Sequence, residues 1–274
     1  MNVIPLIFYI AAAVAYGVFF VAGRIDIGRL ASTILAAGAL AHAFVIGMQT
    51  MASGHVPIAD TTAAISTFVW LLAVAYLYTE MTTEERAMGV FIVPLLVALQ
   101  AIPAAQPGIE RPAPILESPW FGVHVSSLLF AYASFALACV IGVTYVLLFK
   151  EIKAKHLGFF YKRLPSLQRL DAMNLRAVTI GWIFLTIGVV VGVVWTVQAR
   201  ADAVFDPRLR AMSILDPKIA IALLSWAIYS FQLYARRAIG WSGRRAAWLS
   251  TVGFAVVLVN FVAVGYFLTK SHNF

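Results

Sequence analysis

Charge is what this chain has least of: Asp, Glu, Lys and Arg make up 12% of its 274 residues, against 62% hydrophobic. Mean hydropathy is +0.90. A soluble domain needs roughly a quarter of its residues charged, and a disordered chain cannot be this apolar. Both are excluded, and the chain reads as an all-α polytopic membrane protein whose helices are apolar all round. Cysteine is nearly absent too. Cys139 alone excludes a disulfide and a clustered thiolate metal site, which need a second thiol; it reads as a small buried apolar residue.

Charge is also missing from the middle of the apolar runs. Every lysine lies in a loop or at a helix end, so no mid-membrane amine exists for a retinal Schiff base. All twelve acids lie likewise, which disfavours an ion-coupled transporter, since such proteins bury carboxylates at midplane. No Walker loop, GxSxG elbow or HExxH occurs, and no nucleophile or acid–base pair is visible, so the common hydrolytic and nucleotide-driven chemistries have no visible machinery. The net charge of +8 is the excess expected of basic residues flanking membrane spans, and a nucleic-acid partner is not expected. Nothing basic precedes the first apolar run and Arg24 follows it, so that run is expected to stay as a helix and not be cleaved as a signal peptide.

Eight runs have the length to cross a bilayer: 3–22, 30–50, 61–79, 87–103, 121–149, 176–198, 218–235 and 247–269. The fourth is short and holds Pro94 and Pro103, which predicts a kinked or partly re-entrant segment. The 20 Lys and Arg divide 14 to 6. The larger group fills the odd-numbered loops: Arg24, Arg29, Arg86, then seven from Lys150 to Arg176, then four from Arg236 to Arg245. By the positive-inside rule both termini then face out, into the periplasm if the membrane is a bacterial inner membrane. The chain is expected to form one integral-membrane domain, 1–274, with a basic cytoplasmic loop at 150–176 and a periplasmic loop at 199–217. The 151–175 stretch mixes its cations with Phe159, Phe160 and Tyr161, fitting either an amphipathic segment on the inner leaflet or a solvated topogenic loop. Gly188 and Gly192 form a GxxxG step, a sign of close helix approach.

What the chain does offer is histidine. His55, His124 and His272 fall on one face, the outer one, whereas His156 is alone on the basic side. His42 lies roughly 12 Å inside the outer end of the second run, where it is either a helix-packing hydrogen bond or a functional intramembrane group. Histidines from separate segments can clamp a haem iron from both sides, and His124 and His272 are placed for that. Loop histidines are also ordinary polar residues, and His55, in Ser53-Gly54-His55-Val56-Pro57, suits a turn. The seven tryptophans include Trp120, Trp241 and Trp248, which look like interfacial belt residues.

Six motifs then fall in a recognisable order. Ala52 to Pro57 follows the helix bearing His42. Trp120-Phe121-Gly122-Val123-His124-Val125 precedes Tyr132. Leu164-Pro165-Ser166-Leu167, Leu170-Asp171 and Arg176 lead to Gly181, Gly188 and Trp195. Asp216-Pro217-Lys218 precedes Trp226 and Tyr229, Trp241 to Trp248 reads WSGRRAAW, and His272 closes the series. Over nearly the whole chain this resembles the cytochrome c assembly family of haem-handling membrane proteins, the CcsA, CcmC and HemX type. The resemblance implies haem b as cofactor, with His124 and His272 as axial ligands at the periplasmic face, and Trp195 and Asp216 shaping the outer loop. His42 would be a secondary intramembrane site. It implies a role in presenting haem during cytochrome c maturation, with membrane lipids, apocytochrome c and other maturation proteins as partners. Two departures stand out. Ser213-Ile214-Leu215 precedes Asp216 where the family carries tryptophans, and Tyr234 stands where the synthetase branch has a second transmembrane histidine. Both point away from a full synthetase and toward a HemX-type relative. The alternative is a HemX-type accessory or regulatory protein of haem biosynthesis that need not bind haem, acting through the basic 150–176 segment.

Overall fold

The computed structural model describes residues 1–58, 60–106, 118–155, 158, 160–202 and 217–259, the side chains of 198–202, 217 and 218 excepted. Every regular element among the described residues is helical: α1 Val3–Ala22, α2 Ile25–Ser53, α3 Thr61–Thr83, α4 Gly89–Ala105, α5 Pro119–Lys153, α6 Leu167–Asp202, α7 Pro217–Ala238 and α8 Arg244–Leu258. All of α1, α2, α3, α5, α6 and α7 are long and apolar enough to cross a membrane. The chain is a multi-pass membrane protein. α4, of 17 residues, spans about 26 Å and carries Pro94 within one continuous helix.

Local signals explain the boundaries. Gly23 and Gly54 end α1 and α2 in the left-handed region, at φ 68° and 81°, where a side chain would be strained. The Asp60 carboxylate caps α3 by accepting from the Thr62 and Ala63 amides at 2.8 and 2.9 Å. The 150–176 segment is less of a loop than its composition suggests. α5 runs on to Lys153 and α6 begins at Leu167, because Pro165 stops extension backwards, Ser166 Oγ accepts from the Arg169 amide at 3.3 Å, and Leu170, Met173 and Ala177 form a buried stripe. Likewise α6 reaches Asp202 and α7 starts at Pro217, so that the 199–217 loop is bounded by helix on both sides; residues 203–216 lie outside the described residues.

The loops after α1, α3, α5 and α7 meet at one end of the bundle. Arg163 donates to the Val21 carbonyl at 3.3 Å, Arg169 pairs with Glu85, and Arg176 donates to the Thr82 carbonyl at 3.2 Å. Arg236 clasps Asp171 through two bonds of 3.0 and 2.7 Å. The basic loops therefore share one face, as alternating membrane crossings require.

The centre of the molecule is the antiparallel pair α5 and α6. Three glycines of α6 receive three side chains of α5 in one register. A Cβ on Gly181 would lie 2.5 Å from the Phe135 ring, one on Gly188 2.7 Å from Leu128, and one on Gly192 2.5 Å from the His124 ring. Phe135 in turn stacks on Tyr229 of α7 with ring centres 3.7 Å apart. Trp182 donates to Ser230 at 2.7 Å and Trp226 to Thr186 at 3.0 Å, reciprocally joining α6 and α7.

One acid from the helix ends turns inward. Glu80, near the end of α3, is 2% exposed; it accepts from Tyr16 at 2.6 Å and from Ser32, and Arg86 stands 3.7 Å away. This carboxylate ties α1, α2 and α3 together at the basic end. Glu80→Ala leaves the buried Tyr16 phenol without its acceptor and the part-buried Arg86 without its ion-pair partner, and is expected to cost about 2 to 3 kcal/mol. Unfolding of the detergent-solubilised variant checks this; an unchanged midpoint contradicts it.

Candidate functional site

His124 lies near the start of α5, at the end of the bundle opposite the basic loops. Its place is set by the α6 backbone. Gly192 has no side chain, so the imidazole fits against the helix, and Nδ1 donates to the Gly188 carbonyl at 2.7 Å. A carbonyl can only accept, so Nδ1 carries a hydrogen. A backbone oxygen holds the other nitrogen of a metal-ligating histidine in the same way. The GxxxG step read from the sequence as a packing signal is thus the seat of the imidazole.

Aromatic and apolar groups surround it. Trp195, 6% exposed, stacks near-parallel to His124, with ring centres 6.4 Å apart and planes at 22°. Phe121 meets Trp195 at 5.4 Å. Ile58 and Leu129 complete a small apolar cluster distinct from the main core. Trp195 therefore buttresses His124 and Phe121 from behind. Ile58 comes from the turn that holds His55, which brings the 53–58 segment to the same end.

That turn is built from its own sequence. Ser53 Oγ donates to the His55 carbonyl at 2.8 Å, and His55 Nδ1 lies 3.1 Å from the Val56 carbonyl. His55 thus belongs to a structured turn, and its ring is half-buried. His42 is in a different place. Fully buried between helices, it has Tyr9 Oη at 2.9 Å from Nδ1 and Ser66 Oγ at 2.9 Å from Nε2. Both ring nitrogens are engaged, so His42 joins α1, α2 and α3, and ligation by it requires breaking one of these bonds. Asp216, His272 and His156 lie outside the described residues. The structure therefore brings His124 and Trp195 together and keeps His42 apart from them.

Among the described residues no three His, Cys, Asp or Glu side chains converge. A bare metal ion would find too few ligands there. A metallated macrocycle with its own equatorial nitrogens needs only axial ones, and an imidazole set among aromatic rings, as His124 is, is a side chain of the type that could offer one. The glycine seat and the Ile58 contact could not be read from residue types alone: the first depends on the α5–α6 register and the second on how the 53–58 turn folds back.

The family model described as Cytochrome C assembly protein matches residues 3–272. The chain belongs to that family. Similar proteins include the cytochrome c biogenesis protein CcsA of Guillardia theta, 25% identical over 89% of this chain and 84% of the relative. CcsA of Heterosigma akashiwo is 26% identical over 80% of this chain and 76% of the relative. CcsA of Chlamydomonas reinhardtii is 27% identical over 81% of this chain and 62% of the relative. The family match takes in every element of the site.

The glycine seat is open to a direct test. In Gly192→Ala the new methyl collides with the His124 ring, and the thermal midpoint is expected to fall. Gly17→Ala, whose Cβ meets nothing within 4 Å, is expected to be neutral or to stabilise by up to about 1 kcal/mol through helix propensity. Equal behaviour of the two variants would contradict the register.

Proposed function

We propose that this protein binds haem b at the end of the bundle opposite the basic loops and presents it for cytochrome c maturation, His124 being one axial ligand and His272 the other. The observation that carries this reading is the hydrogen bond from His124 Nδ1 to the Gly188 carbonyl, the hold that a metal-ligating imidazole receives on its other nitrogen. Trp195 stacks on that imidazole and Phe121 packs on Trp195, giving the site an apolar wall. Asp216, beyond the end of α6, would shape the loop over the same face. His42 acts as a packing hydrogen-bond centre or a secondary intramembrane site.

When bound, haem supplies the redox-active iron and the group that apocytochrome thiols receive. The chain's own part is to orient, to ligate and to keep water away. Family membership and the named relatives support the place of this step in cytochrome c assembly. The membrane is proposed to be a bacterial inner membrane, with both termini periplasmic and the shared basic face cytoplasmic. Lipids, haem, apocytochrome c and other maturation proteins are the partners this implies.

Complementation of a host lacking its own copy separates this reading from a regulator acting through the basic segment. His124→Ala and His272→Ala are each expected to reduce haem-stained cytochrome c at least about tenfold, the usual scale for losing a ligand or its support. Charge reversal at Lys153, Lys155 and Arg163 should leave most of it. The opposite pattern would overturn the haem-presenting role.

A further inference from the structure

The turn between α7 and α8 carries an arrangement that the haem site does not use. The Asp171 carboxylate receives Arg236 through both of its oxygens and also the Gly243 amide at 2.7 Å. This fixes the start of α8, where Gly243 takes φ 59° and no side chain caps the first turn. Arg244 and Arg245 project from that turn. Among the described residues neither has a carboxylate within 4.0 Å, although Arg24, Arg86, Arg169 and Arg236 each have one. Each lies instead over an aromatic face, Arg244 at 5.7 Å from Phe149 and Arg245 at 5.2 Å from Trp241. An aromatic face attracts a guanidinium without neutralising it.

Between them is a pocket of about 460 Å³ lined by Gly240, Trp241, Ser242, Arg244, Arg245 and Trp248. That is the size of a small-ligand site. Its chemistry is that of an anion receptor: two forked cations, the Ser242 hydroxyl and the uncapped amides of a helix start all favour negative charge. Its surroundings select the anion. Trp248 and Ile239 are 48% and 54% exposed at the end of the bundle where the basic loops meet, the level at which tryptophan lies among lipid headgroups. A soluble anion would leave these apolar surfaces unused, whereas acyl chains would cover them. Basic pockets between helix ends on this side of a membrane hold anionic headgroups.

We propose that the Trp241–Trp248 pocket binds the phosphate of an anionic phospholipid, with Arg244 and Arg245 as its ligands. The site is independent of haem. A bound lipid would sit on the turn between α7 and α8 and the first turns of α8, at the basic end of the bundle.

The test uses the full-length protein in detergent micelles, with quenching of tryptophan fluorescence by dibrominated phosphatidylglycerol and, separately, dibrominated phosphatidylcholine. Phosphatidylglycerol is expected to bind more tightly, by about fivefold per arginine at low salt. Arg244→Gln and Arg245→Gln should each lose that factor, the double variant should lose the preference, and Arg244→Lys should keep most of it. If the double variant does not fold, the single variants and the decline of the wild-type preference with salt carry the same information. Equal quenching by the two lipids in wild type, or an unchanged preference in the glutamine variants, overturns the proposal. Complete displacement of the lipid by inorganic phosphate at matching concentration also overturns it, by assigning the site to a free anion.

Discussion

The close approach of α6 to α5 is the constraint on which the rest depends. In lipid there is no hydrophobic drive to press helices together, so contact rests on shape and hydrogen bonds. Gly181, Gly188 and Gly192 meet Phe135, Leu128 and His124 without a change of register, and the consequences run outward from there. Phe135 is set flat against Tyr229, which locates α7. His124 is brought to the Gly188 carbonyl, which chooses its tautomer. Trp195, one turn further along α6, reaches Phe121 and His124 and closes the apolar cluster with Ile58.

Polar side chains secure the packing from both sides of this pair. On the α1–α3 side, His42 links Tyr9 to Ser66, while Glu80 gathers Tyr16, Ser32 and Arg86. On the α7–α8 side, Asn174, Gln232 and Ser250 are buried and bonded to one another, with Ser250 Oγ 2.9 Å from Asn174 Oδ1 and 2.8 Å from Gln232 Nε2. Away from water each such group costs more unpaired than paired, so these clusters fix which helices are neighbours as well as holding them together. Ion pairs join the helices at the bundle end with the basic loops, and aromatic contacts gather around His124 at the opposite end.

Much of this architecture is legible in the residues. Each of the eight apolar runs holds a helix among the described residues, the last described only to Val259, and six of these helices are long and apolar enough to cross a membrane, where a backbone has no other way to satisfy itself in lipid. Ends were harder, since a helix continues past its apolar part into water: α6 starts at Leu167, nine residues before Arg176, where hydrophobicity alone would begin it. Pro165 and Ser166 were the signals for the true start. Within the site, His124 and Trp195 could be chosen by residue type and face, and they are together. Their partners could not. Gly192 reads as packing and Glu80 as a helix-end charge, and only the helix register gives each its neighbour, as only the folding back of the 53–58 turn brings Ile58 to the site. His42 was open between packing and function, and its two hydrogen bonds define what any other role must displace.

The central claim is that His124 Nε2 ligates haem iron from an imidazole whose other nitrogen is already held by the α6 backbone. The most direct measurement is the absorption spectrum of the detergent-purified protein during haem titration, for wild type and for His124→Gly with and without added imidazole. The account predicts sharp six-coordinate bands in wild type, their loss in His124→Gly, and their return when imidazole fills the vacated seat beside Gly192. Wild-type bands that persist unchanged in His124→Gly, or a wild-type titration that never saturates, would contradict it.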